Sequence, residues 1–139
     1  MISTSLAAAL RDAGLRWTPM SGDQFQISGP DFEGDVFTVS DMTIEAHHYP
    51  TGTILGFNGT TEWALDSVAI DDALWLPRED QLRDALAGTF VGMTREVGAE
   101  KRASYVVTTR VNGVEARFVS DDPAEAYGLA LVDLLRAAG

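Results

Sequence analysis

An α+β fold with a mainly antiparallel sheet of about five to six strands is what this sequence predicts, and three observations predict it. Segments of helical and of strand period follow one another in the order helix, strands, helix, strands, helix. Asn112-Gly113 stands between two runs rich in β-branched residues, which is the strongest short-range hairpin signal. Asp122-Pro123 opens a closing segment with a broad apolar stripe, and such a stripe needs a sheet to lie on. The N-terminal, middle and C-terminal helices are therefore expected to pack on the sheet. At 139 residues, 45% hydrophobic and 22% charged, the chain reads as a single globular domain over residues 1–139.

The elements follow in order. Ser3 or Ser5 can cap a first helix running to about residue 13, with Gly14 suited to its C-terminal end. Leu6, Leu10 and Ala13 then share a face. Residues 25–28 and 36–39 read as short strands, and 42–49 alternate as a longer one. Pro50-Thr51-Gly52 is a turn into a returning strand over 53–57. Residues 59–73 fit no single period and read as irregular with one short strand. Pro77 is expected at the first position of a helix to about residue 87, with Glu79 and Asp80 in its first turn and Gly88 closing it. Its inward face is read as Leu82, Ala85 and Leu86.

Strands are expected over about 90–97, 105–111 and 114–120. A two-residue turn at Asn112-Gly113 sets Val111 against Val114, Thr109 against Ala116 and Val107 against Phe118 as the core face. Arg110 then opposes Glu115 on the other face. In the last helix Asp122 is the cap, Pro123 the first residue, and Glu125 reaches back as in a capping box. Tyr127, Ala130, Leu131, Leu134 and Leu135 form its inward stripe.

Charge narrows function more than any motif does. The net charge is −11, and the acids are unevenly placed. Residues 17–77 carry ten acids and no Lys or Arg, whereas 78–139 carry ten acids and eight bases. Repulsion from phosphates argues against nucleic acid and against anionic membranes as partners. A basic protein is the complementary partner for such a segment. The N-terminal run has no basic residue ahead of its short apolar stretch, so no signal peptide is expected, and no segment reaches the ~20 apolar residues of a membrane span. A cytoplasmic location is the expectation.

Catalytic signatures are sparse. There is no cysteine, which removes disulfides, thiolate metal sites and cysteine nucleophiles together. No serine elbow, dinucleotide fingerprint or phosphate-binding loop is present, and no cofactor is implied. Asp31-Phe32-Glu33-Gly34-Asp35 begins like a calcium loop, but Val36 and Met42 fall where the turn glycine and the bidentate glutamate belong. Glu45 and His47 share one face of a strand and could serve a metal-assisted hydrolase or isomerase, yet His48, the second histidine, faces the other way. Trp63 and Trp75 flank an acidic stretch. With Glu62, Asp66, Asp71 and Asp72 they make a candidate acidic, aromatic binding patch. A small-molecule pocket between the sheet and the last helix is a further reading, and the sequence also allows a homodimer built through a sheet edge.

The run Phe57-Asn58-Gly59-Thr60-Thr61-Glu62-Trp63-Ala64-Leu65-Asp66-Ser67, followed by Leu74-Trp75-Leu76-Pro77-Arg78-Glu79-Asp80-Gln81-Leu82-Arg83, resembles a family of small actinobacterial proteins without an established function. Ala13-Gly14-Leu15-Arg16-Trp17-Thr18-Pro19, Gly22-Asp23-Gln24-Phe25 and Glu125-Ala126-Tyr127-Gly128-Leu129-Ala130 fit the same pattern. Some members carry a pilus-assembly label. The resemblance implies no catalytic residues. The expectation is a non-enzymatic interaction module, similar to small immunity or accessory proteins.

Overall fold

The computed structural model describes residues 1–28, 34–39, 44–49, 52–57, 67–69 and 72–139, with backbone alone along 44–49, 52–57 and 67–69. The chain forms two compact units. One comprises Met1–Leu15 and Pro77–Gly139, the other Arg16–Leu76.

The first unit begins with Ser3, whose hydroxyl accepts the Leu6 N–H at 3.2 Å. That bond satisfies one of the amide donors a helix leaves open at its start. Helix α1, Thr4–Asp12, buries Leu6, Ala7 and Leu10. Gly14 turns the chain out of it at φ 112°, a conformation side chains resist. Helix α2, Glu79–Leu86, starts two residues later than Pro77 suggests. Its cap is Arg78, because the Gln81 side chain reaches back and accepts the Arg78 N–H at 2.9 Å. Leu82 and Leu86 are buried, while Ala85 faces solvent. The residue that closes α2 is Ala87 at φ 51°, not Gly88. A 3-10 turn, Ala87–Thr89, leads into the sheet.

Strands β7 (Phe90–Val97), β8 (Ala103–Val111) and β9 (Val114–Ser120) pair antiparallel in that order. Asn112 and Gly113 take φ 52° and 80°, as a two-residue hairpin turn requires. The register is the predicted one: Val111 opposite Val114, Thr109 opposite Ala116, Val107 opposite Phe118 and Arg110 opposite Glu115. The Arg110 guanidinium bonds the Glu115 carboxylate. Burial of the predicted core face fades toward the turn. Val107 and Thr109 are buried, but Val111 and Val114 are 38% and 69% exposed. Pairing follows from the turn; cover needs a second element, which the turn does not specify.

Helix α3, Pro123–Ala138, lies on β8 and β9, while α1 and α2 pack chiefly on α3. The expectation that all three helices rest on the sheet is corrected in that respect. With helices on its flanks, α3 buries more than one stripe: Ala124, Ala126, Tyr127, Gly128, Ala130, Leu131 and Val132. Asp122 caps it through the Ala124 and Glu125 N–H groups at 2.8 and 3.3 Å. Glu125 does not complete a capping box. Its carboxylate instead accepts the Ser3 backbone N–H and, at 3.2 Å, the Ser3 hydroxyl, so a side chain in the first turn of α3 ties down the cap residue of α1. At Gly128 a Cβ would come within 2.6 Å of Leu6 Cδ2 and 3.2 Å of Ile2 Cδ1, so any side chain there must push aside the ends of Leu6 and Ile2.

The second unit is built of strands β1 (Gln24–Ile27), β2 (Phe37–Thr38), β3 (Ile44–Tyr49), β4 (Gly52–Phe57), β5 (Ser67–Ala69) and β6 (Ala73–Leu76). They form two antiparallel sheets, ordered β2-β1-β6 and β3-β4-β5. The α+β class therefore stands. In place of one sheet of five to six strands, the described residues form three sheets of three. Hairpin signals specify which neighbours pair but not whether separate hairpins join edge to edge. Ala73–Leu76 is a strand where the sequence predicts no element: Ala73 ends the stretch of no single period, and 74–76 lie between it and the helix expected from Pro77.

Candidate functional site

Sheet β2-β1-β6 carries the described part of the acidic, aromatic segment. Antiparallel pairing sets Phe25 on β1 opposite both Phe37 on β2 and Trp75 on β6. Directly opposed residues project from the same face, so the three rings form a row. Phe25 and Phe37 lie with centroids 5.6 Å apart. Trp17, from the chain ahead of β1, stacks on Trp75 with centroids 6.3 Å apart and planes 8° from parallel, and tilts against Phe25 at 5.4 Å. Phe25, Ile27, Val39 and Ala73 form the buried centre, with Trp17 and Phe37 packed against it. Offset rings of this kind add about 0.5–1.5 kcal/mol per pair beyond the area they bury.

Asp23 holds the row in place. It is only 3% exposed, and one carboxylate oxygen accepts both the Trp17 indole N–H at 2.9 Å and the Met20 N–H at 3.0 Å. Its backbone N–H donates to the Met20 carbonyl, and its carbonyl accepts the Val39 N–H at 2.8 Å. Gly22, at φ 94°, makes the tight turn between Met20 and Asp23. A buried carboxylate is tolerated only when donors surround it, and this one is so supplied. Trp75 is treated differently: its Nε1 is buried and meets no acceptor among the described residues.

Of the predicted patch, the structure brings Trp75 into the aromatic row. It leaves Asp72 exposed just ahead of β6, where the Asp72 carbonyl accepts the Ser28 N–H at 2.9 Å. Glu62, Trp63, Asp66 and Asp71 lie outside the described residues, as do Asp31 and Glu33 of the calcium-like run. Glu45 and His47 are on β3 opposite Gly56 and Ile54; their side chains are not among those described. Among the described residues, no three His, Asp or Glu side chains converge as metal ligands would. Sequence reasoning passed over Trp17 and Asp23. Their signal is a tryptophan followed by Thr18-Pro19 and by the turn pair Ser21-Gly22 ahead of an acid.

The charge asymmetry follows the division into units. Arg16–Leu76 holds ten acids against Arg16, a net −9, while the other unit holds eleven acids against nine bases, a net −2. In the near-neutral unit the charges interleave: Arg117 bonds Glu96 at 3.0 Å and Arg78 bonds Asp80 at 3.2 Å. The Arg78 hydrogen bond holds the Asp80 carboxyl below the ordinary carboxylate range. Among the described residues no helix is long and apolar enough to cross a membrane. No match to this chain was found among protein-family models, among curated proteins or among solved structures.

Proposed function

We propose that the chain is a non-enzymatic, cytoplasmic protein-interaction module whose unit Arg16–Leu76 holds a basic protein, in the manner of small immunity or accessory proteins. The observation that supports this reading is the charge partition, with nine of the eleven net negative charges in one compact unit. Trp63 and Trp75 serve as aromatic anchors, and Glu62, Asp66, Asp71 and Asp72 form the charged rim. Anchors supply most of the affinity of such a surface, while rim charges chiefly set the association rate.

The test is capture on the immobilised full chain, washed in salt steps. The reading expects basic proteins that elute as salt rises from about 0.1 to about 0.5 M, because exposed charges are screened over that range. Asp71→Lys with Asp72→Lys should slow association several-fold at low salt, with the difference vanishing at high salt. Retention that ignores salt, or a captured partner that is itself acidic, sinks the reading.

A further inference from the structure

We infer that the outer edge of β9 pairs with β9 of a second copy, antiparallel, in the register that sets Glu115 of each copy opposite Arg117 of the other. In the order β7-β8-β9, β9 has no strand on its far side among the described residues. The hairpin decides which groups that edge presents. Val111 and Val114 flank a two-residue turn and so exchange hydrogen bonds. Pairs along an antiparallel ladder alternate, so residues 114, 116, 118 and 120 turn their backbone groups toward β8. Glu115, Arg117 and Val119 turn theirs outward. A new strand can therefore add only by bonding those three.

Antiparallel pairing of two identical edges leaves few registers. Glu115 opposite Glu115 and Arg117 opposite Arg117 both oppose like charges, which destabilises a sheet. Arg117 opposite Val119 leaves the charges unmatched. Glu115 opposite Arg117 occurs twice by symmetry and bonds both outward residues, for about four backbone hydrogen bonds. It extends the existing pairs into an alternating chain, since Glu115 already bonds Arg110 and Arg117 already bonds Glu96. Ala116 then falls on the two-fold axis at a close, non-hydrogen-bonded pair, where a small side chain fits. Val114, 69% exposed in the single chain, comes opposite Phe118 of the second copy. The far edge, β7, offers no equivalent. A bulge between Phe90 and Gly92 breaks it. Its symmetric registers oppose Arg95 to Arg95 or Glu96 to Glu96, or leave Arg95 facing Met93. The unit that carries β9 is near neutral, so its own charge opposes self-association little.

The test is the solution mass of the full chain by light scattering at about 100 μM, with circular dichroism confirming that each variant is folded. The wild-type chain should run at twice the chain mass. Arg117→Glu and Glu115→Arg should each run at the chain mass, because each opposes like charges twice. Mixed in equal amounts, the two variants should return to twice the chain mass, since the mixed pair restores both Glu–Arg contacts. A monomeric wild type, a single variant that still dimerises, or a mixture that stays monomeric overturns the inference. None of these readouts depends on the basic partner proposed above.

Discussion

The unit of Met1–Leu15 and Pro77–Gly139 contains every α-helix among the described residues and interleaves eleven acids with nine bases. The unit of Arg16–Leu76 contains all three tryptophans and sets ten acids against one base. The first is held by many modest devices: a cap of α1 tied to Glu125 of α3, a hairpin turn that accepts positive φ, and cross-strand ion pairs on the sheet surface. In sheet β2-β1-β6 of the second, the described side chains centre on one row of rings and one buried carboxylate. Distributing stabilisation makes a unit tolerant of single changes, whereas concentrating it leaves surface free for charge. The composition also separates the units spectroscopically. Tryptophan emission reports on the acidic unit, and helical dichroism at 222 nm reports on the other.

Asp23→Ala is the sharpest way to break this contrast. It leaves the Trp17 indole N–H and the Met20 N–H without their shared acceptor, in a place where the carboxylate is 3% exposed. Losing charge-assisted bonds to buried donors costs about 2–4 kcal/mol. In urea, the tryptophan transition should move to lower concentration by more than the 222 nm transition. If both probes move together by the same amount, the units unfold as one and stability is not divided as drawn here. Asp23→Asn keeps an acceptor oxygen and should lose less than half as much.

Where local residue chemistry decides the outcome, the structure was legible in the sequence. Asn112-Gly113 specified the hairpin and its register because those residues reach positive φ cheaply. Asp122 and Ser3 announced helix starts because a short side-chain oxygen reaches the open amides. Legibility failed where a distant element decides. Glu125 has the spacing of a capping box, but α1 lies close enough to take its carboxylate. Ala87, itself exposed, adopts φ 51° although glycine stands next to it, so the usual preference for glycine does not decide which residue turns the chain. The site was half legible. Trp75 stands out by its neighbours in the chain. Trp17 becomes meaningful only once the turn at Gly22 brings Asp23 under its indole, and nothing periodic marks that stretch.

Gly128→Val carries the same contrast to the other unit. A β-branched side chain at this position must displace Leu6 and Ile2, because even a Cβ comes within 2.6 Å of Leu6 Cδ2. Overpacking of this kind costs about 1–3 kcal/mol. The loss should appear in the 222 nm transition first, with tryptophan emission following less. Gly128→Ala should cost less than about 1 kcal/mol, because the helix favours Ala over Gly by nearly that much and the atom it meets is the end of a leucine. An unchanged Gly128→Val midpoint would show that α1 can withdraw from α3 freely, and the unit would then lack the redundancy ascribed to it.

The smallest effect has the clearest sign. Burial of the Asp122 carboxyl pushes its pKa up, but bonds from the terminal amine of Met1 at 3.0 Å and from the Glu125 and Ala124 N–H groups outweigh it, so the group ionises below the ordinary carboxylate range. A carboxylate with a lowered folded-state pKa contributes stability that is complete above its unfolded value and is lost as pH falls through the folded one. Asp122→Ala removes the cap of α3 and should cost about 1 kcal/mol at pH 7. As pH falls through the ordinary carboxylate range and then through the lower folded-state value, that stability is lost and the two chains should converge. Denaturant midpoints at 222 nm across that range decide the matter. A gap that stays constant with pH would mean that the side chain acts by shape and not by charge, and one of the modest devices credited to this unit would have to be struck out.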